Sequence, residues 1–178
     1  LRDVTISGGI DTGGMVTLQD SQIGGGVRSE NNKISINNSE VNGDVYANGD
    51  IVVEESSYVN GNITTPNNKV TIKDSEVSGN ISANKDITIE GSSVTGDINT
   101  PNNGVIISDS DIYGDVSANG DVNVDNSEVI GNLTSSNNKV ILNDNTHVVG
   151  DVTAGKPNWG TVIVNGGSTV DGTCLYQT

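Results

Sequence analysis

The sequence predicts an all-β fold, a right-handed parallel β-helix with the triangular cross-section of a β-solenoid and about nine coils of 17–19 residues. Three observations predict it. A unit of the form aliphatic–x–Gly–x–aliphatic occurs ten times, each repeat carries apolar pairs with a period of two, and β-branched residues dominate the apolar set. No repeat has the 3.6-residue apolar spacing of a helix. Periodicity does not determine the hand of the coil, but the chirality of parallel crossovers favours the right-handed one.

Each repeat contains a glycine at the third position of its unit, and the repeats begin 17–19 residues apart except for a final interval of 22. This spacing indicates that the glycines stack in one column along the coil. We expect each of them to turn a tight corner that requires a positive φ, with an Asp or Asn beside it in most repeats. The predicted glycine column consists of Gly8, Gly25, Gly43, Gly61, Gly79, Gly96, Gly114, Gly131, Gly150 and Gly172.

Three inward-facing pairs are predicted in each coil, as in Ser57/Val59, Ile63/Thr65 and Val70/Ile72. Side chains two apart in a strand share a face, so each pair indicates a short strand with one buried side. Three strands and three bends in about 18 residues close a triangle. Small Ser, Thr and Ala side chains face Val and Ile across a narrow core, which accounts for the absence of Phe.

The whole chain, residues 1–178, is predicted to form a single β-solenoid domain. The last coil covers residues 148–169 with an enlarged corner loop at 154–161, and residues 170–178 form a terminal strand. Low hydrophobicity (32%) with a net charge of −15 is also typical of disorder, but disordered chains have no reason to keep apolar residues in phase. A lone cysteine excludes an internal disulfide framework.

Charges alternate from coil to coil just after the second corner of each repeat. We expect opposite signs to become neighbours about 4.8 Å apart and to fix the register of the stack as ion pairs. The corner itself alternates between a longer form with Asn-Asn and a form one residue shorter. The predicted charge column is Lys33, Asp50, Lys69, Asp86, Gly104, Asp121 and Lys139.

The charge balance excludes two classes of partner. With 8 basic against 23 acidic residues, the protein repels nucleic-acid phosphates and anionic lipid headgroups. No apolar run approaches membrane-spanning length, so direct membrane insertion is not expected.

Two segments, "VNGDVYANGDIVV" (residues 41–53) and "IYGDVSANGDVNV" (residues 112–124), most clearly carry the motif V-x-G-D-V-x-A-x-x-x-aliphatic-x-V. This motif, recurring every 17 or 18 residues, resembles that of the bactofilins, polymer-forming cytoskeletal proteins of bacteria. The resemblance implies a right-handed triangular β-helix whose subunits join end to end into unpolarised filaments without nucleotide. A surface poor in Lys and rich in Asn, Ser, Thr and Gly is instead typical of an exported protein. The predicted location is therefore the bacterial cell surface or the extracellular space, with a cytoplasmic, membrane-associated filament as the alternative.

The predicted function is structural and non-enzymatic: a rigid rod that self-assembles end to end as a filament subunit or a stalk. Each coil buries its apolar edges only against the next, and neither end of the chain has the polar residues of a cap. The partner is another copy of the chain, with a cell-envelope protein or glycan as a further partner, and no cofactor is predicted. The candidate end-to-end interface residues are Ile6, Ile10, Val170, Cys174, Leu175 and Tyr176.

Recognition is the alternative function: the chain as a segment of a bacterial surface adhesin that binds through the enlarged corner. Lys156, Pro157 and Trp159 form this candidate recognition loop, although Trp159 could equally fold back as a partial cap. Calcium binding along the Asp/Asn corner and ice binding on an outward Thr rank are weaker alternatives. Catalysis is not expected, because the only histidine, His147, lies in an outward column and no candidate catalytic group has a basic partner at fixed spacing.

Overall fold

The computed structural model describes residues 1–155 and 161–176. These residues form 29 strands and no helix, arranged in three parallel sheets that run the length of the molecule. Two sheets have ten strands and one has nine, which gives about nine turns of a β-solenoid with three sides. The predicted all-β, triangular solenoid is therefore confirmed, and its right hand is retained as the expectation from crossover chirality.

Sheet 1 contains the shortest strands, of two residues each. They are β1 (Thr5–Ile6), β4 (Gln22–Ile23), β7 (Glu40–Val41), β10 (Tyr58–Val59), β13 (Glu76–Val77), β16 (Ser93–Val94), β19 (Asp111–Ile112), β22 (Glu128–Val129), β25 (His147–Val148) and β28 (Thr169–Val170).

Sheet 2 contains strands of three residues, of which the middle one faces outward. They are β2 (Ile10–Thr12), β5 (Val27–Ser29), β8 (Val45–Ala47), β11 (Ile63–Thr65), β14 (Ile81–Ala83), β17 (Ile98–Thr100), β20 (Val116–Ala118), β23 (Leu133–Ser135), β26 (Val152–Ala154) and β29 (Cys174–Tyr176).

Sheet 3 contains strands of four residues, except for its last strand of three. They are β3 (Val16–Gln19), β6 (Ile34–Asn37), β9 (Ile51–Glu54), β12 (Val70–Lys73), β15 (Ile87–Glu90), β18 (Val105–Ser108), β21 (Val122–Asp125), β24 (Val140–Asn143) and β27 (Val162–Val164).

The core is a set of vertical columns in which like side chains stack. Ile63 lies opposite Ile81 in register, and Val59 lies opposite Val77. The predicted inward pairs are confirmed, since Val59, Ile63, Val70 and Ile72 are fully buried and Ser57 and Thr65 nearly so. Because each coil packs only against its two neighbours, stability accumulates along the rod rather than around one centre.

The buried hydroxyl column at the start of sheet 1 links successive coils. The amide of Ser57 donates to the hydroxyl of Ser75 in the next coil (3.1 Å), and that hydroxyl donates to the carbonyl oxygen of Lys73 (2.8 Å). The same pattern recurs at Ser21, Ser39, Ser92 and Ser110. A small hydroxyl is therefore required here because it satisfies two buried backbone groups at once.

The left-handed corner of each coil lies immediately before this hydroxyl column, and the sequence reading missed it. Asp74 has φ 46°, and the residues at the same place in other coils include Asp20, Asn38, Gly91 and Asp109, all with positive φ. Asp, Asn and Gly are the residues that adopt this conformation at least cost. Their recurrence before the Ser column was the available signal.

The predicted reason for the glycine column is wrong, although its vertical alignment holds. None of the ten column glycines has a positive φ. A Cβ on Gly96 would instead lie 2.5 Å from the carbonyl carbon and oxygen of Gly79 in the preceding coil. Glycine is therefore required because neighbouring backbones approach too closely for any side chain.

The alternation of the second corner also has a physical cause. From Ser29 to Ser135, the longer corners follow a hydroxyl residue and the shorter ones follow Ala. The Thr65 hydroxyl donates to the carbonyl oxygen of Gly49 (3.0 Å) and accepts from the amide of Asn68 (3.3 Å). The extra residue of the longer corner adds backbone groups that this hydroxyl satisfies.

The predicted ion pairs of the charge column do not form. Its members are all described by the structure, and no ion pair joins any two of them. Asp86 and Asp121 instead accept from the backbone amides of Gly104 (3.2 Å) and Lys139 (3.1 Å) in the following coil. The aspartates fix the register through backbone groups, which are better placed than flexible Lys ammonium groups.

The close approach of the glycine column predicts a position-dependent effect of Gly→Ala substitution. Gly96→Ala should lower the free energy of unfolding by about 1–3 kcal/mol, because the new methyl group displaces the backbone of the preceding coil. Gly8→Ala is the matched control: no atom lies within 4 Å of its Cβ position, so we expect a change within about 0.5 kcal/mol. Thermal or denaturant unfolding measures both, and equal effects would contradict this account.

Candidate assembly surfaces

The C-terminal end of the rod exposes side chains that belong to the core columns. Val164 is 44% exposed, whereas Leu142, which precedes it in the same column, is fully buried. Cys174 is exposed above the fully buried Val152. Val162 and Val170 are half-buried against the core. These four residues form the C-terminal end face.

The N-terminal end also exposes core columns, but it is partly covered. Ile6 and Ile10 are half-buried, whereas the residues stacked on them are buried. Residues 1–3 lie along β3: the Gln19 amide donates to the carbonyl oxygen of Leu1 (3.0 Å), and the Asp3 amide donates to that of Gln19 (3.1 Å). The expectation that neither end has any cover is therefore corrected for sheet 3 at this end.

Two of the predicted interface residues lie differently from the others. Leu175 is opposite Thr153 in register, so it belongs to the outward column of sheet 2 and its 47% exposure is on the side of the rod. The sequence analysis grouped Leu175 with the end because it follows Cys174. That grouping did not consider that successive side chains of a strand face opposite sides. The backbone of Tyr176 pairs in register with that of Ala154. The candidate recognition loop of Lys156, Pro157 and Trp159 lies outside the described residues.

The Asp/Asn residues beside the glycine column form a ladder along the outside of the corner. The carboxylate of Asp97 accepts from the amide of Asp115 (2.9 Å), and the carboxylate of Asp115 accepts from the amide of Asn132 (2.7 Å). This ladder gives the column a structural use that the calcium interpretation did not anticipate. Within residues 1–155 and 161–176, no group of three or more His, Cys, Asp or Glu residues is arranged to hold a metal ion.

Exposed apolar side chains also occur on the sides of the rod. Tyr113, Ile130 and Val149 occupy the same position in three successive coils and are 40–48% exposed.

On sheet 3 the outward column changes from Thr88 to Ile106, an irregularity that does not match an ice lattice. The described part of the chain contains no helix that is both long and apolar enough to cross a membrane.

His147 links the last coils of sheet 1. Its Nδ1 lies 3.3 Å from Oε1 of Glu128 in the preceding coil, and its Nε2 lies 3.1 Å from Oδ2 of Asp171 in the following one. Hydrogen bonds with Asp171 and then with Glu128 raise the pKa of His147 above its ordinary value. The imidazolium therefore bridges three successive coils near the C-terminal end face.

This bridge predicts a pH dependence of stability. Because the folded-state pKa of His147 is raised, its contribution is fully present below the unfolded pKa near 6.5 and is lost as the pH rises through the folded value. Between about pH 5 and pH 8, the wild type should lose stability relative to His147→Gln, as measured by thermal unfolding of both proteins. Parallel pH profiles for the two proteins would rule out the bridge.

Comparison with known proteins matches two overlapping parts of the chain to one family model. The family model described as "Bactofilin: Polymer-forming cytoskeletal" matches residues 15–103 and 69–175, so the two matches together span residues 15–175. No curated protein and no solved structure matches the chain. The matched span contains the repeated columns and sheets described above, and the chain belongs to the bactofilin family of polymer-forming cytoskeletal proteins.

Proposed function

We propose that the protein is a structural filament subunit whose rods join end to end through their apolar end faces. The observation that carries the proposal is the emergence of buried core columns at both ends of the rod, as at Ile10 and Val164. Full burial of an aliphatic side chain contributes about 1.5–3 kcal/mol, so several columns closing together favour association. The family description supports polymer formation. It does not name interface residues, and the assignment of the end faces is part of the proposal.

The backbone at the ends supports the same mode of assembly. Among the described residues, the first and last strands of sheets 1 and 2 and the last strand of sheet 3 have only one strand neighbour, whereas the outer edge of β3 is partly paired with residues 1–3. Such edge strands carry unpaired N–H and C=O groups, which template the addition of another strand. A second rod placed on the end face would satisfy these groups while it buries the apolar columns, so the two contributions act at the same surface.

The family description bears on the location as well. A cytoskeletal polymer supports the alternative location, a cytoplasmic filament associated with the membrane, over the cell surface or the extracellular space. The surface composition that favoured export is explained in part by the solenoid itself, since Asn, Ser, Thr and Gly satisfy its corners and ladders. Adhesion through Lys156, Pro157 and Trp159 stays a prediction from the sequence.

The end-face proposal predicts which charge substitutions prevent assembly. Val164→Asp and Ile10→Asp each place a carboxylate at the end of a core column, where a partner rod would bury it, and should abolish filaments. Leu175→Asp is the matched control, because Leu175 is about as exposed as Val164 and near the same end but faces sideways. Electron microscopy and sedimentation measure assembly, and circular dichroism checks the fold.

Loss of filaments in Leu175→Asp alone would place the interface on the side of the rod and overturn the proposal. Filaments that persist in Val164→Asp and in Ile10→Asp would do the same.

Substitution of the corner loop separates assembly from recognition. Trp159→Ala should leave filaments intact, because assembly is assigned to the end faces, and should weaken binding to bacterial envelope fractions only if the loop recognises a surface component. Co-sedimentation with purified envelopes measures binding, and electron microscopy of the same sample measures filament formation. Short, dispersed rods of the wild-type protein that bind envelopes would favour the adhesin function.

A further inference from the structure

The Asp/Asn ladder shows which groups normally accept hydrogen bonds from the backbone amides at this corner. In seven successive coils, the residue after the column glycine offers a side-chain oxygen to the equivalent amide of the next coil. The distances from donor nitrogen to acceptor oxygen are 2.7–2.9 Å. The acceptor is a carboxylate in some coils and a carboxamide in others, as at Asp44 and Asn62. In these coils, a side-chain oxygen of Asp or Asn therefore accepts the hydrogen bond of this amide.

The first two coils break this rule. Glycine occupies the acceptor position at Gly9 and Gly26, so neither offers a side-chain oxygen. Within the described residues, the amides of Gly26 and Asp44 consequently have no hydrogen-bond acceptor. Gly26 is half-buried and Asp44 is exposed, so both amides are reachable from solvent.

The missing side chains leave an open cleft of about 490 Å³ beside these amides. Ile10, Val27 and Tyr46 line it with apolar groups, and Arg28, Asp11 and Asp44 line it with charged ones. The guanidinium carbon lies 5.4 Å from the centre of the Tyr46 ring. The cleft thus combines unpaired N–H donors, a positive charge and an apolar surface, which are the usual components of a small-ligand site.

We propose that this cleft binds a small carboxylate, whose oxygen atoms take the place of the absent Asp or Asn side chains. A carboxylate accepts hydrogen bonds from backbone amides as Asp97 does from Asp115, and its charge is favourable beside Arg28. The apolar part of the ligand would lie on the ring of Tyr46, on the side of the rod.

A covalent side chain cannot easily occupy the same place. A Cβ on Gly26 would lie 2.8 Å from the carbonyl oxygen of Asp44, and a Cβ on Gly9 would lie 2.6 Å from that of Gly26. Close backbone approach therefore accounts for glycine at these two positions, and an Asp or Asn there would require the backbone to shift.

The negative charge of the protein does not prevent this binding. Asp97 and Asp115 follow one another in the ladder, each as a carboxylate next to a carboxylate, and both accept an amide of the next coil. Arg28 pairs with Asp11 (3.4 Å) and Glu30 (2.7 Å), and all three side chains are about half exposed or more. Water therefore screens these pairs and also keeps the contribution of the guanidinium to ligand binding modest, so the backbone amides are the main donors.

Proton-detected magic-angle-spinning NMR tests the site, since it reads amide resonances whether or not the rods assemble. Titration with sodium acetate should shift the Gly26 and Asp44 amides saturably, while the Asn62 and Asp115 amides, which have built-in acceptors, stay in place. Sodium chloride serves as the ionic-strength control. Equal, unsaturated shifts at all four amides would overturn the proposal.

Two further comparisons test the chemistry of the ligand. Acetate should bind more tightly than acetamide, and butyrate more tightly than acetate because of its apolar chain. Arg28→Gln, a substitution of an exposed side chain, should weaken acetate binding about fivefold and leave acetamide binding unchanged. Acetate affinity that is the same with and without the guanidinium, or no gain for butyrate, would contradict the assignment.

Discussion

The structure depends on one constraint: every coil lies about 4.8 Å above the previous one in the same register. Each side chain then packs against the residues at the same position in the two neighbouring coils, so a column contains only residue types that can stack on one another. Val and Ile satisfy this requirement in the core, and Ser does so at the buried corner. Glycine at Gly96 is the extreme case, because the neighbouring backbone occupies the space of a side chain.

Polar groups on two of the corners are satisfied by ladders that run in opposite directions. At the buried corner, Ser57 donates its amide to the hydroxyl of the following coil, whereas at the glycine corner Asp97 accepts from the amide of the following coil. Both ladders bond side chain to backbone, so they do not depend on charge. A strongly acidic protein can therefore stack most of its coils through side chain-to-backbone hydrogen bonds, with ion pairs at only a few places such as Lys73–Glu90 (3.2 Å). Asp86 accepting from a backbone amide shows the same preference.

The fold could be predicted from the sequence because each coil of a solenoid repeats the same residue pattern. Inward pairs such as Ile63/Thr65 follow directly from this pattern. The physical reason why a column requires a given residue type could not be predicted from the pattern. Glycine is required by positive φ in some corners and by close backbone approach in others, and only coordinates distinguish Gly91 from Gly96. The grouping of Leu175 with the end face did not consider the alternation of sides along a strand, which places Leu175 on the outward column of sheet 2. The cleft beside Gly26 depends on what is missing from a column, which becomes visible once the ladder is known.

End-to-end assembly would extend the same stacking from one rod to the next. X-ray fibre diffraction from aligned filaments tests this claim most directly, because it reports the direction of the coil spacing. The account predicts a reflection at about 4.8 Å on the meridian, parallel to the filament axis. The same reflection on the equator would mean that the rods lie across the filament, and would contradict the account.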